Sequence, residues 1–138
     1  MQASVVPPKP RALIVEDETL IAEELRERLS RLGFSIIAAV DTAQEGILIA
    51  TQERPDLVLM DIRLKGDKDG VQAAEEIYRL VDVPLVYLTA HSDRTTVDRV
   101  KRTQCDGFIS KPFRAHELQS TIAIAMQRHS LRARQKEQ

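Results

Sequence analysis

Apolar positions along the chain alternate between two patterns. Five short runs are almost continuously apolar: residues 11–15 (Arg-Ala-Leu-Ile-Val), 34–40, 56–60 (Asp-Leu-Val-Leu-Met), 84–88 and 107–109. Runs of this length, bounded by Pro, Gly or polar turns, predict strands buried on both faces. Between them apolar residues recur every three or four positions, the signature of a helix with one inward face. Leu20, Ile21, Leu25, Leu29 and Leu32 mark a first helix, and Gly33 stops it. Ala43, Ile47 and Ala50 mark a second, capped by Asp41 or Thr42. Val71, Ala74, Ile77, Tyr78 and Val81 mark a third. Val97 and Val100 mark a fourth, capped by Asp93 and running through Thr103. Leu118, Ile122, Ala125 and Met126 mark a fifth that starts near Arg114. Strand and helix alternating five times imply a doubly wound α/β fold, a parallel sheet covered by helices on both faces. Right-handed crossovers limit its topology.

The chain has 138 residues, the length of one domain, and shows no internal repeat. Residues 1–10, with Pro7, Pro8 and Pro10, read as a flexible leader rather than a signal peptide. Residues 11–130 form the folded domain, and 131–138 a solvated helix extension or tail. A net charge of −1 removes the expectation of a general nucleic-acid footprint. No apolar run approaches the ~18 residues of a membrane helix. The single cysteine, Cys105, excludes an intramolecular disulfide and reads as a packing residue. A cytoplasmic location follows as an expectation.

Polar groups close four of the five strands: Glu16 and Asp17 after the first, Asp61 after the third, Thr89 after the fourth and Lys111 after the fifth. In a doubly wound sheet the carboxyl ends of the strands share one edge, where ligands bind. An acid just past a buried strand is expected outside the core, because burying a lone charge is costly. Two or three carboxylates gathered there repel one another unless one is protonated or a cation neutralises them. Carboxylate oxygens and waters suit Mg²⁺. A lysine and a hydroxyl beside such a cation could hold the oxygens of a tetrahedral anion. This chemistry suits phosphoryl transfer, which depends on positioning and charge neutralisation. Asp61 is then the nucleophile and forms an aspartyl phosphate.

These residues, in this order, resemble the receiver domain of two-component response regulators. The resemblance runs from Arg11 to about Arg128 and rests on Glu16-Asp17, Asp61, Thr89-Ala90 and Lys111-Pro112-Phe113. It implies a five-stranded flavodoxin-like sheet of order 2-1-3-4-5. It implies that Asp61 is the phosphoacceptor, and that Asp17, Asp61 and the backbone carbonyl of Arg63 bind Mg²⁺ directly, with Glu16 acting through water. Lys111, Thr89 and the backbone of Ala90 would hold the phosphoryl group. Thr89 and Phe108 would form the switch, and the Lys111–Pro112 bond would be cis. Arg63 and His91, each two residues past a key position, would tune the rates of phosphorylation and hydrolysis. The implied donor is a sensor histidine kinase or a histidine phosphotransfer protein. The implied output is a protein partner, or a homodimer, on the surface of helix four, strand five and helix five. The chain would be no enzyme beyond catalysing its own phosphorylation and dephosphorylation.

Three departures from the family pattern stand out. Leu64-Lys65 replaces the frequent Met-Pro after the acceptor, and the loop from Asp61 to Gly70 is slightly longer than is common. Phe108 in place of tyrosine removes a hydroxyl from the switch position.

Competing readings come from other classes. A metal-dependent phosphatase of the haloacid-dehalogenase kind also uses an aspartyl nucleophile, but generally needs a second acid where Arg63 stands. A flavodoxin-like nucleotide binder needs a phosphate-cradling loop after strand one, where Glu16-Asp17-Glu18 would repel phosphate. A degenerate receiver would serve only as an interaction scaffold, and here every acidic and basic corner is present. His91, His116 and His129 share no metal-ligand spacing. Ile124 and Leu131 fall off the inward face of helix five and are candidates for a partner surface.

Overall fold

The computed structural model describes residues 8–100 and 105–137. Five parallel strands, β1 (Arg11–Val15), β2 (Ser35–Val40), β3 (Leu57–Asp61), β4 (Leu85–Thr89) and β5 (Gly107–Ser110), form one sheet in the order β2-β1-β3-β4-β5. The helices between and after them are α1 (Thr19–Arg31), α2 (Ala43–Glu53), α3 (Gly70–Leu80), α4 (Arg94–Val100) and α5 (Ala115–Glu137), and a 3₁₀ turn spans His91–Asp93. The expected sheet order and fold class are those observed. The predicted end of helix four, Thr103, lies outside the described residues.

The interiors of the central strands β1, β3 and β4 are apolar because both faces are covered, and successive side chains enter opposite cores. Ala12, Ile14, Leu57, Leu59, Val86 and Leu88 meet Leu25 and Leu29 of α1 and Leu118, Ile122 and Ala125 of α5. Leu13, Val15, Val58, Met60, Leu85 and Tyr87 meet Ala43 and Ala50 of α2, Ala73, Ala74 and Ile77 of α3, and Val100 of α4. The helix starts obey local chemistry. The Thr42 side chain accepts the Glu45 N–H at 3.2 Å. Asp69 and Gln72 cap α3 reciprocally: Asp69 Oδ1 accepts the Gln72 N–H at 2.8 Å, and Gln72 Oε1 accepts the Asp69 N–H at 2.9 Å.

Three sequence expectations are corrected. Leu20 is 84% exposed and not part of the inward face of α1, because Ile21, Leu25 and Leu29 already fill the stripe one residue away. Phe34 precedes β2, donating its N–H to Leu29 O and packing in the α1/α5 core. Asp93 does not cap α4 from outside; it closes the preceding 3₁₀ turn and accepts the Ala90 N–H at 2.7 Å.

What positions the site is the continuation of the ladder past the strand ends. Glu16 N–H donates to Val40 O at 2.9 Å, Ile62 N–H to Leu88 O at 3.2 Å, and Lys111 N–H to Thr89 O at 2.7 Å. The β3–α3 loop is pinned by a parallel bridge between Lys65 and Thr42 and by Gly70 N–H donating to Ile62 O at 2.7 Å. At the opposite edge of the sheet Asp106, which is buried, accepts the Leu85 N–H at 2.8 Å and the Tyr78 hydroxyl at 3.3 Å. It also pairs with Arg132 in the last part of α5. Nearby, His129 Nε2 lies 2.9 Å from Asp82 Oδ1. Among the described residues no helix is long and apolar enough to cross a membrane.

Candidate functional site

The carboxyl edge of the sheet gathers acids and one ammonium. Glu16, Asp17 and Asp61 each present an oxygen within 4.8 Å of the others. Lys111 Nζ lies between them, 2.7 Å from Glu16 Oε1 and 3.0 Å from Asp61 Oδ2. Neighbouring strands deliver these groups: β1 lies beside β3, β3 beside β4, and β4 beside β5.

Asp61 is the last residue of β3 and is only 4% exposed, so it is more buried than an acid past the strand end was expected to be. Its charge is tolerated because both oxygens are engaged. Oδ2 meets the Lys111 ammonium and Oδ1 accepts the Arg63 N–H at 3.3 Å. Glu16 is equally dry at 2% exposure. Its Oε2 accepts the Glu18 N–H at 3.1 Å. Its Oε1 is buried and, although close to Lys111, makes no contact with hydrogen-bond angles. Burial, and then the neighbouring Asp61, push the Glu16 carboxyl up to about 7. Burial opposes the charge on Lys111, but the nearby Glu16 carboxyl and its bond to Asp61 outweigh that and raise its pKa.

This donor set fits a hard divalent cation. All three candidate ligands are carboxylates, with no soft sulfur or imidazole among them. One buried carboxylate oxygen lacks a hydrogen bond that a cation or its water could replace.

Thr89 ends β4 and is 5% exposed. Its hydroxyl donates to Ile109 O at 3.4 Å and so faces the backbone of β5 rather than the acids. Phe108 is half-buried in β5 opposite Tyr87, with ring centroids 5.7 Å apart and the planes inclined by 24°. The Lys111–Pro112 peptide is cis. His91 is exposed in the 3₁₀ turn. The Arg63 guanidinium turns away from the acids: Nε lies 2.6 Å from Asp93 Oδ1.

Sequence reasoning did not find two parts of this edge. Asp93 read as a helix cap, yet it joins Arg63 to the Ala90 backbone across a separation that no local pattern reports. Gly70 read as a loop glycine. A Cβ there would lie 1.9 Å from Asp61 O, so its smallness lets the α3 start sit directly on the backbone of Asp61. The Asp69-Gly70 pair before an apolar helical stripe was the available signal.

A parallel five-stranded sheet of this order, with acids and a lysine at its carboxyl edge, defines a flavodoxin-like signalling fold. The response regulator receiver domain family matches residues 12–123, and the chain belongs to it. It is 37% identical over 118 residues to the transcriptional regulatory protein PdtaR of Mycobacterium tuberculosis, covering 86% of this chain and 57% of that one. It superposes with a TM-score of 0.83 and 34% identity on the signal receiver domain of a modulated diguanylate cyclase from Desulfovibrio desulfuricans G20, covering 91% of this chain and 99% of that one. It also matches, with a TM-score of 0.77 and 26% identity, the receiver domain of the sensor histidine kinase PA1611 from Pseudomonas aeruginosa PAO1, covering 86% of this chain and 98% of that one. That structure has a magnesium ion coordinated in its active-site cleft. The chain spans little more than half the length of curated relatives such as PdtaR.

Proposed function

We propose that the chain is a phosphorylation-controlled switch in the cytoplasm. It accepts a phosphoryl group on Asp61 from a histidine kinase or a histidine phosphotransfer protein. The observation that carries this reading is the Lys111 ammonium set between Glu16 and Asp61 in a cluster of three carboxylates. In the transfer, a carboxylate oxygen of Asp61 bonds to phosphorus as the phosphorus–nitrogen bond of the phosphohistidine breaks. The bonding electron pair leaves with the imidazole.

Asp17, Asp61 and the Arg63 carbonyl are the residues that would hold Mg²⁺, with Glu16 acting through water. The ion would neutralise the charge that builds up on the phosphoryl oxygens. Lys111 holds a second flank of the same group. Thr89, now bonded to Ile109 O, is the hydroxyl that would turn toward it. The added charge is roughly −1.5 to −2. Withdrawing Thr89 from β5 would free space beside Phe108 and shift the α4–β5–α5 face, where a partner protein or a second copy would bind. This is a population shift driven by local electrostatics. The chain catalyses nothing beyond gaining and losing its own phosphoryl group.

With Mg²⁺ and acetyl phosphate the wild type should gain one hydroxylamine-labile phosphoryl group, seen by intact-mass measurement. Asp61→Asn should gain none. Modification that persists in Asp61→Asn would overturn the assignment, and steady turnover of a phosphate ester would favour a phosphatase.

A further inference from the structure

Beside the acids lies a second charged pair. Asp93 is 2% exposed, and both its oxygens are engaged. Oδ1 meets Arg63 Nε at 2.6 Å, and Oδ2 accepts the Ala90 N–H at 2.7 Å. Arg63 also donates to Ser92 O at 3.4 Å, so its guanidinium grips the whole turn after β4. Ala90 directly follows Thr89. On the proposed reading its N–H is one of the donors that a phosphoryl oxygen would use, yet here it is bonded to a carboxylate. A carboxylate oxygen and a phosphoryl oxygen are the same kind of acceptor, and one N–H makes one strong bond.

We propose that Asp93 is a built-in competitor for the phosphoryl group at the Ala90 N–H, and that Arg63 holds it in the competing position. This rests on Asp61 being the phosphoacceptor. Phosphorylation must then displace Asp93 from Ala90. Because Asp93 closes the 3₁₀ turn and Arg94 begins α4, the displacement shifts the start of α4 independently of any movement of Phe108. Arg63 and Asp93 are positioning residues: they govern how freely Ala90 is offered and make no bond to the phosphoryl group.

The test uses the full chain with Mg²⁺ and beryllofluoride, a phosphoryl mimic, and follows binding by fluoride and amide nuclear magnetic resonance. Asp93→Ala should bind beryllofluoride about tenfold more tightly than wild type. Asp93→Asn, which keeps an oxygen acceptor without the charge, should gain less. Mg²⁺ affinity measured alone should stay within about twofold in Asp93→Ala and Asp93→Asn, which a general structural disturbance would not allow. The Ala90 amide signal should move in Asp93→Ala without beryllofluoride, and in wild type only with it. Arg63→Ala should also tighten binding, and in an Asp93→Ala background its effect should shrink to within about twofold, because it acts through Asp93. Equal or weaker beryllofluoride binding by Asp93→Ala, at unchanged Mg²⁺ affinity, would overturn the proposal. So would an Arg63→Ala effect that is the same with and without Asp93. Should Asp93→Ala not fold, Asp93→Asn decides: no gain in affinity rejects the competitor. Wild type that binds no beryllofluoride would sink the phosphoacceptor reading itself and the competitor with it, whereas normal wild-type binding with indifferent variants would sink the competitor alone.

Discussion

Glu16 carries a proton at pH values where an ordinary glutamate has lost it, since burial and then Asp61 lift it from 4.5 to about 7. The folded state therefore holds that proton more tightly than the unfolded chain does. The resulting stabilisation is complete below about 4.5 and is lost as pH rises toward 7. Without Mg²⁺, the melting temperature should fall across that window. Added Mg²⁺ should raise it more above pH 7 than below pH 5, as calorimetry can check. A metal-free melting temperature that does not fall between those limits would contradict the burial of Glu16. Gly70 gives a second residue-scale prediction. The three atoms nearest an added Cβ are backbone, Asp61 O at 1.9 Å, Asp61 C at 2.8 Å and Ile62 Cα at 2.9 Å, so a rotating side chain cannot relieve the clash. Gly70→Ala should cost roughly 1–3 kcal/mol in urea denaturation and, on the proposed reading, slow phosphorylation of the displaced Asp61. At this scale the chain was uneven to read. The acids and Lys111 announced themselves because charges ending apolar strands have no packing role. Asp93 did not, because an acid before a helix is already explained by capping, and its bond to Arg63 spans 30 positions.

Elements were legible wherever one physical signal dominated. Strands buried on both faces are short and continuously apolar, and all five were found, with ends displaced by a residue or so. The exception among the helices is instructive. In α1, two adjacent apolar residues, Leu20 and Ile21, competed for one stripe, and the pattern alone could not say that Leu20 points to solvent at 84% exposure. Nor could periodicity reveal how elements are tied end to end. Asp106 joins the start of β5 to β4 through the Leu85 N–H, to α3 through the Tyr78 hydroxyl and to α5 through Arg132. Asp106→Ala would leave the Leu85 N–H unsatisfied, since Asp106 is only 1% exposed. The expected loss is about 2–3 kcal/mol. Asp106→Asn, which still offers an acceptor to that N–H, should lose less. Denaturation of the two variants measures the difference, and equal losses would place the effect in the charge pair with Arg132 instead.

At the scale of the whole molecule, one sheet separates two apolar cores, with α1 and α5 on one side and α2, α3 and α4 on the other. Activation on the proposed reading acts at the α4–β5–α5 side, which draws on both layers. Ile124 and Leu131 are exposed on α5, at 49% and 50%. If activation pairs two copies through this face, size-exclusion chromatography with light scattering should give a larger mass with beryllofluoride than without, and Leu131→Glu should remove the increase. An unchanged mass on activation would assign the face to a different partner.

The Lys111–Asp61 bond joins positions 50 residues apart and exists only when β5 has docked on β4 and β4 on β3. A chain caught before its last strand docks would hold three crowded acids and no ammonium to separate them. Its affinity for divalent ions and its reactivity toward a donor would then differ from those of the finished protein. On the proposed reading, reactivity at Asp61 would double as a readout of folding, and a donor that modifies only the native site would leave newly made, half-assembled copies unmodified.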